Sequence, residues 1–158
     1  MIVSNRLWAR VRPFAALMAM AACAANSWGG EFYEKEGVAL EGYDPVAYFT
    51  DGKPVEGSPQ YTADFQGSVF HFASAANRDV FVADPERYAP QYGGFCAFGT
   101  AGGYKAAIDP AAFTIVNGRL YLNYNDDIRQ QWSADVPGMV AKADANWPEV
   151  SRQTKVIE

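Results

Sequence analysis

The dipeptide Asn117-Gly118 constrains this chain more than any other pair of residues, because two largely apolar runs, residues 113–116 and 119–124, flank it directly. A two-residue link between antiparallel strands needs positive φ at both central positions, and Asn-Gly adopts that geometry with the least steric penalty. The pattern predicts a β-hairpin. A second hairpin is predicted at Gln66-Gly67, between residues 61–65 and 68–73. In its second strand, alternation puts Phe70 and Phe72 on one face and Val69, His71 and Ala73 on the other. Helices are expected around these hairpins. Ser74 is a good N-cap for a helix from Ala75 to about Ala83, which must stop short of Pro85. Residues 85–88 read as one more helical turn and residues 92–104 as a glycine-rich loop. Asn125 or Asp126 opens a helix through Trp132, and Pro137 opens another to about Trp147. Strands, helix, hairpin and helices in that order predict an α+β fold with a small antiparallel sheet, a strand–helix unit and C-terminal helices.

The ends of the chain read differently. Residues 1–12 carry Arg6, Arg10 and Arg12 and no acid, and residues 13–25 are an apolar run too short to span a bilayer. That order is the pattern of a secretory signal, and because Val11 separates two of the arginines, the general route is expected rather than twin-arginine export. Residues 1–25 are therefore expected to be a leader, with a periplasmic destination. Met20-Ala21-Ala22-Cys23 resembles a lipoprotein processing site, which would leave Cys23 lipidated and anchored to the outer membrane; the small residues from Ala22 to Ser27 equally suit ordinary cleavage. Residues 26–37 then form a lead-in, residues 38–150 the domain, and residues 151–158 a tail. With 13 Lys and Arg against 18 Asp and Glu, the chain lacks the basic patch that a nucleic-acid partner requires. No second apolar stretch of spanning length follows, so no membrane span is expected. Past the leader only Cys96 is left of two cysteines, so an internal disulfide is ruled out.

The run Phe70-His71-Phe72-Ala73-Ser74, followed by Phe81 and Asp84-Pro85-Glu86-Arg87-Tyr88, resembles the YHS domain family. Asp44-Pro45-Val46-Ala47 is similar to that family's Asp-Pro-Val-Cys opening. The wider pattern over residues 38–150, with Tyr92-Gly93-Gly94-Phe95-Cys96-Ala97 and a closing Ala-Asn-Trp-Pro, resembles an exported branch of the same family. The resemblance implies a strand–helix frame in which cysteines act as soft metal ligands. This chain has Ala47, Ala73 and Asn77 where those three cysteines would fall. A methyl group cannot coordinate, and an amide oxygen is a hard, weak donor for copper or zinc, so the family's usual site does not carry over.

The remaining candidates follow from chemistry. His71 is the single imidazole and Cys96 the single thiol past the leader; brought together they would make an activated nucleophile or two ligands of a transition-metal ion. Apart, they are a hydrogen-bonded strand residue and a small buried hydrophobe. Tyr43, Asp44 and Tyr48 would border a polar pocket, or else Asp44 caps the turn at Pro45 and the tyrosines pack. Ser74 belongs to the surviving signature, and Tyr92 and Phe95 flank glycines that allow close backbone approach to a ligand. The leading expectation is a non-catalytic, exported binding module that holds a metal ion or small ligand near His71 and Cys96. A thiol-dependent redox protein working through Cys96, and a domain whose motif residues only pack, are the alternatives.

Overall fold

In the computed structural model, residues 31–158 are described. The expected leader over residues 1–25, the expected lipidation site at Cys23 and the start of the lead-in lie outside them. Two short strands, β1 (Glu34–Lys35) and β2 (Val38–Ala39), pair antiparallel. A single helical turn, α1 (Ala47–Thr50), precedes the hairpin of β3 (Ser58–Phe65) and β4 (Ser68–Phe72). Helices α2 (Ala75–Ala83) and α3 (Pro85–Tyr88) follow, then the short α4 (Ala97–Ala101) and β5 (Lys105–Ala106). The second hairpin is β6 (Asp109–Val116) with β7 (Arg119–Asn123). Helices α5 (Asp126–Ser133) and α6 (Val136–Val150) lead to β8 (Val156–Ile157).

The α+β class is as the sequence predicts. Both hairpins turn where expected: Gln66 and Gly67 have φ of 48° and 80°, and Asn117 and Gly118 have 51° and 71°, the left-handed values that primed turns require. The strands form separate two-stranded ladders rather than one small sheet, and β5 with β8 is parallel. Ser74 caps α2 by accepting from the Asn77 N–H at 3.1 Å, and the helix yields to α3 at Asp84-Pro85. Asn125 caps α5 in the same way through the Ile128 N–H at 2.9 Å.

Two aromatic clusters fill the interior. Phe81 of α2 lies 5.0 Å from Phe70 and 5.1 Å from Phe72, which fixes the helix onto the buried face of β4. Around α5 and α6, Trp132 packs on Tyr121 at 5.1 Å, and Tyr121 continues to Tyr92 and Trp147. The packed unit reaches past residues 38–150 on both sides. Phe32 and Tyr33 of the lead-in are buried in the first cluster. The last residues are held by β8, by Gln153 donating to the Gly103 carbonyl at 2.9 Å, and by Lys105 donating to the Ser151 carbonyl at 3.0 Å.

The glycine-rich segment is more ordered than the loop the sequence suggests. Tyr92, Gly93 and Gly94 take left-handed φ in one tight turn, and Gly94 lets the Leu40 side chain approach where a Cβ would sit 2.6 Å from its methyl. Helix α4 then begins directly after Cys96, which caps it. Among the described residues no helix is long and apolar enough to cross a membrane.

Candidate functional site

The sequence candidates separate into distinct places, the first of them centred on Asp44. This carboxylate is fully buried. One oxygen accepts from the Val46 N–H at 2.8 Å and the Ala47 N–H at 3.2 Å. The other accepts from the Ala73 N–H at 2.8 Å and the Asn77 side-chain amide at 2.7 Å. The carboxylate thus ties the turn before α1 to the junction of β4 and α2. Ala47, Ala73 and Asn77 are the positions at which the resemblance expects soft ligands. Here they present two backbone N–H groups and an amide N–H, all pointed at a carboxylate. Donors aimed inward satisfy an anion and repel a cation, so this donor set does not fit a metal ion. Ser74, beside the knot, has its hydroxyl engaged in capping α2.

Tyr48 is buried nearby, its hydroxyl donating to the Pro110 carbonyl at 2.9 Å and its ring 4.9 Å from Phe113. Burial chiefly pushes its phenol up. Tyr43 is half-buried, bridging to Glu56 across the start of β3. Its phenol is pushed up by burial and then by the carboxylates of Glu56, Glu41 and Asp109. Tyr43, Asp44 and Tyr48 therefore lie in one region, but Asp44 and Tyr48 spend their polar atoms on the protein itself.

His71 and Cys96 are not brought together by any contact the structure shows. His71 lies on the half-exposed face of β4, opposite Thr62, with Nδ1 toward the Gly42 turn and its backbone pressed on Gly57. Cys96 lies between Ala106 of β5 and Asn123 of β7. Its N–H donates to the Ala106 carbonyl at 3.1 Å, its Sγ accepts from the Gly99 N–H at 3.5 Å, and the thiol contacts Asn123 Oδ1 at 3.6 Å. Among the described residues no three His, Cys, Asp or Glu side chains gather as a metal centre would need.

Cys96 nevertheless stands at an opening. It floors a pocket of about 190 Å³ walled by Phe98, Tyr104, Ala106, Tyr124, Ile128, Ile157 and Glu158. Burial pushes the thiol up, with the backbone N–H groups of Gly99, Tyr124 and Phe98 pulling the other way. The Asn123 oxygen also accepts from the Phe98 N–H at 3.0 Å, so the Asn123 amide is turned with its acceptor toward the sulfur. An acceptor there favours S–H over the thiolate. A reactive redox thiol calls for the opposite balance, with the thiolate favoured.

Tyr92 and Phe95 line two other clefts. Tyr92 borders one of about 250 Å³ with Glu86, Gln91, Gly93 and Trp147, while its hydroxyl donates to Asp144 at 2.8 Å. Phe95 borders one of about 560 Å³ beside Glu34, Lys105 and Arg152, with the Lys105 ammonium 4.6 Å above its ring. The candidates thus divide among the Asp44 knot, the outer face of β4 and three concavities, which share Glu31, Phe32 and Glu158 at their borders.

Comparison with known proteins bears on the first of these places. Residues 46–92 match the family model of the YHS domain. No curated protein and no solved structure matches the chain. The YHS match takes in Ala47, His71, Ala73, Ser74 and Asn77, starts two residues after Asp44, and ends before Cys96. It does not extend to the exported branch that the wider pattern suggests. The YHS segment supplies the strand–helix frame and the four N–H donors of the knot, whereas the Cys96 pocket is built wholly from residues after it. Sequence reasoning missed Phe98, Tyr104, Ala106, Tyr124, Ile128 and Ile157 as a group.

Proposed function

We propose that the protein is a non-catalytic binding module that takes a small ligand into the pocket above Cys96. One observation carries the reading. Tyr104, Tyr124 and Ile157 are large hydrophobic side chains left 36%, 40% and 45% exposed, and all three rim this one pocket. Large apolar side chains converging on one concavity mark a binding site more often than chance exposure does. The YHS segment acts as the frame. Asp44, just before it, holds β4 and α2 together through that segment's N–H groups, and the segment has no metal role in this proposal. Cys96 is a packing and contact residue, its thiol neutral.

The same proposal keeps the module outside the cytoplasm, on the strength of the charged-then-apolar order of residues 1–25. Whether Cys23 carries lipid is decided by labelling cells with a clickable fatty acid, where Cys23→Ala should abolish the label if the anchor exists. The binding function is tested on full-length protein purified gently from its own cell envelope and examined by native mass spectrometry. The expected result is a stoichiometric small organic adduct that is absent from Tyr124→Ser. An adduct that is a transition metal, lost in His71→Ala, would replace this reading with the metal one.

A further inference from the structure

The lining of the Cys96 pocket also narrows what it takes, an inference that rests on the proposed binding function. We propose that the pocket selects a neutral, apolar molecule about the size of one six-membered ring. Its volume of about 190 Å³ is of the same order as the apolar cavities of about 150 Å³ known to hold benzene. Four of its eight lining residues, Phe98, Ala106, Ile128 and Ile157, carry no side-chain polar atom, and two more, Tyr104 and Tyr124, contribute mainly rings.

Charge excludes the other classes. The lining contains no Lys, Arg or His. An anion entering it would shed its hydration without finding a counter-charge, and Glu158 at the edge would repel it further. A metal ion would meet one neutral thiol, that one carboxylate and the two tyrosine hydroxyls, with no imidazole and no second thiol, a poor set for a tetrahedral site. The sulfur is already provided for. It accepts from Gly99 and faces the Asn123 oxygen, so it makes little further demand for a polar partner and offers a soft, polarizable floor of the kind that suits rings. Two other clefts also hold aromatic rings but differ in charge: one adds Glu31 and Glu86, the other Lys105, Arg152 and several acids.

The test compares three probes of nearly equal shape, ethylbenzene, benzylammonium and benzoate, by amide-resolved NMR titration of the full chain at pH 7. The expected result is saturable shifts of Phe98, Tyr124 and Ile128 with ethylbenzene, and affinity at least about ten-fold weaker for both ions, a difference of about 1.4 kcal/mol. Ala106→Leu, which fills the pocket, should abolish the shifts. Tyr124→Ser, on the exposed rim where folding is not at risk, should weaken them. Equal or tighter binding of either ion overturns the ligand class while leaving a binding module in place. If none of the probes binds and xenon does not enter, the binding function itself falls. Ethylbenzene shifts that survive both substitutions would put the ligand elsewhere and overturn the inference.

Discussion

Replacing Asp44 by Asn alters a side chain by one group and nearly nothing in volume, yet the geometry of its four hydrogen bonds makes it a severe change. Each carboxylate oxygen takes two N–H donors: Val46 and Ala47 on one, Ala73 and Asn77 on the other. Whichever way the new amide turns, its NH₂ faces two donors. Asn77 can rotate its own amide and present an oxygen, but a backbone N–H has no such freedom, so at least one donor is left without a partner. An unsatisfied buried donor costs about 1–3 kcal/mol, and bonds that lose their charged acceptor weaken further. We expect a loss of about 2–4 kcal/mol, a large share of the roughly 5–15 kcal/mol that holds a domain together.

Urea unfolding followed through the fluorescence of Trp132, which is fully buried, measures this directly. At a slope of about 2 kcal/mol per molar urea, the midpoint should fall by about 1–2 M. Asn77→Ala removes one bond only and should cost about 1–2 kcal/mol; the double variant should lose less than the sum, because the two side chains share a bond. A midpoint for Asp44→Asn within experimental error of the native chain, or a larger loss for Asn77→Ala than for Asp44→Asn, would refute the account of Asp44 as the hub.

Other consequences are quicker to check. Gly57→Ala should destabilise by about 1–3 kcal/mol in a thermal melt, since a Cβ there would sit 2.5 Å from the backbone carbon of His71 and the strands must part to admit it. Tyr92→Phe should lose about 1 kcal/mol with the hydrogen bond to Asp144, and Asp144→Ala combined with it should add little for that bond. Cys96 should react slowly with iodoacetamide at pH 7 in the native protein and rapidly in urea, as its burial and raised pKa require. Stability should fall as pH rises above about 8.5, the unfolded thiol's value. The folded state holds the Cys96 proton more tightly than the unfolded chain, so its contribution is complete below that pH and is lost on the way up to the folded value. Tyr33, Tyr48 and Tyr92, all pushed up chiefly by burial, add losses in the same sense from about pH 10. Lys105, pulled down by burial, works the opposite way in that upper range. Cys96→Ala should remove the first part of the decline in a pH series of urea midpoints.

What the sequence made legible was local. Helix α2 runs from Ala75 to Ala83 because the capping hydroxyl of Ser74 and the ring of Pro85 each act within a few residues, and both hairpin turns follow from dipeptides that tolerate positive φ. The 92–104 segment misled for a reason that is not local. Gly99 and Gly102 resemble loop glycines, yet each lies under the Tyr104 ring, where a Cβ would come within 2.9 Å and 2.8 Å of its carbons. They are glycines of close packing, and α4 passes through one of them. The lead-in and the tail gave no periodic pattern at all; Phe32 and Tyr33 are buried by contacts with strands more than 30 residues away in sequence, such as Phe32 on Phe70.

The same distinction governs the site. Half of the Asp44 knot, the bonds to Val46 and Ala47, is the turn-capping that an Asp before Pro suggests. The other half spans 29 and 33 residues and exists only in three dimensions. Three of the four donors are backbone N–H groups, which any residue except proline would supply at positions 46, 47 and 73. The bonds of the knot therefore make no demand on side-chain chemistry at Ala47 and Ala73, although Ala47, fully buried, has room only for a small residue, and only Asn77 commits its side chain to the knot. That separation of frame from chemistry accounts for a segment that matches the family model without a cysteine anywhere in residues 46–92. It also moves the search for function off the motif and onto the surface where the backbone of the frame is not involved. There, side chains from α4, β5, α5, β8 and the residues beside them meet over one sulfur, and only folding could have assembled them.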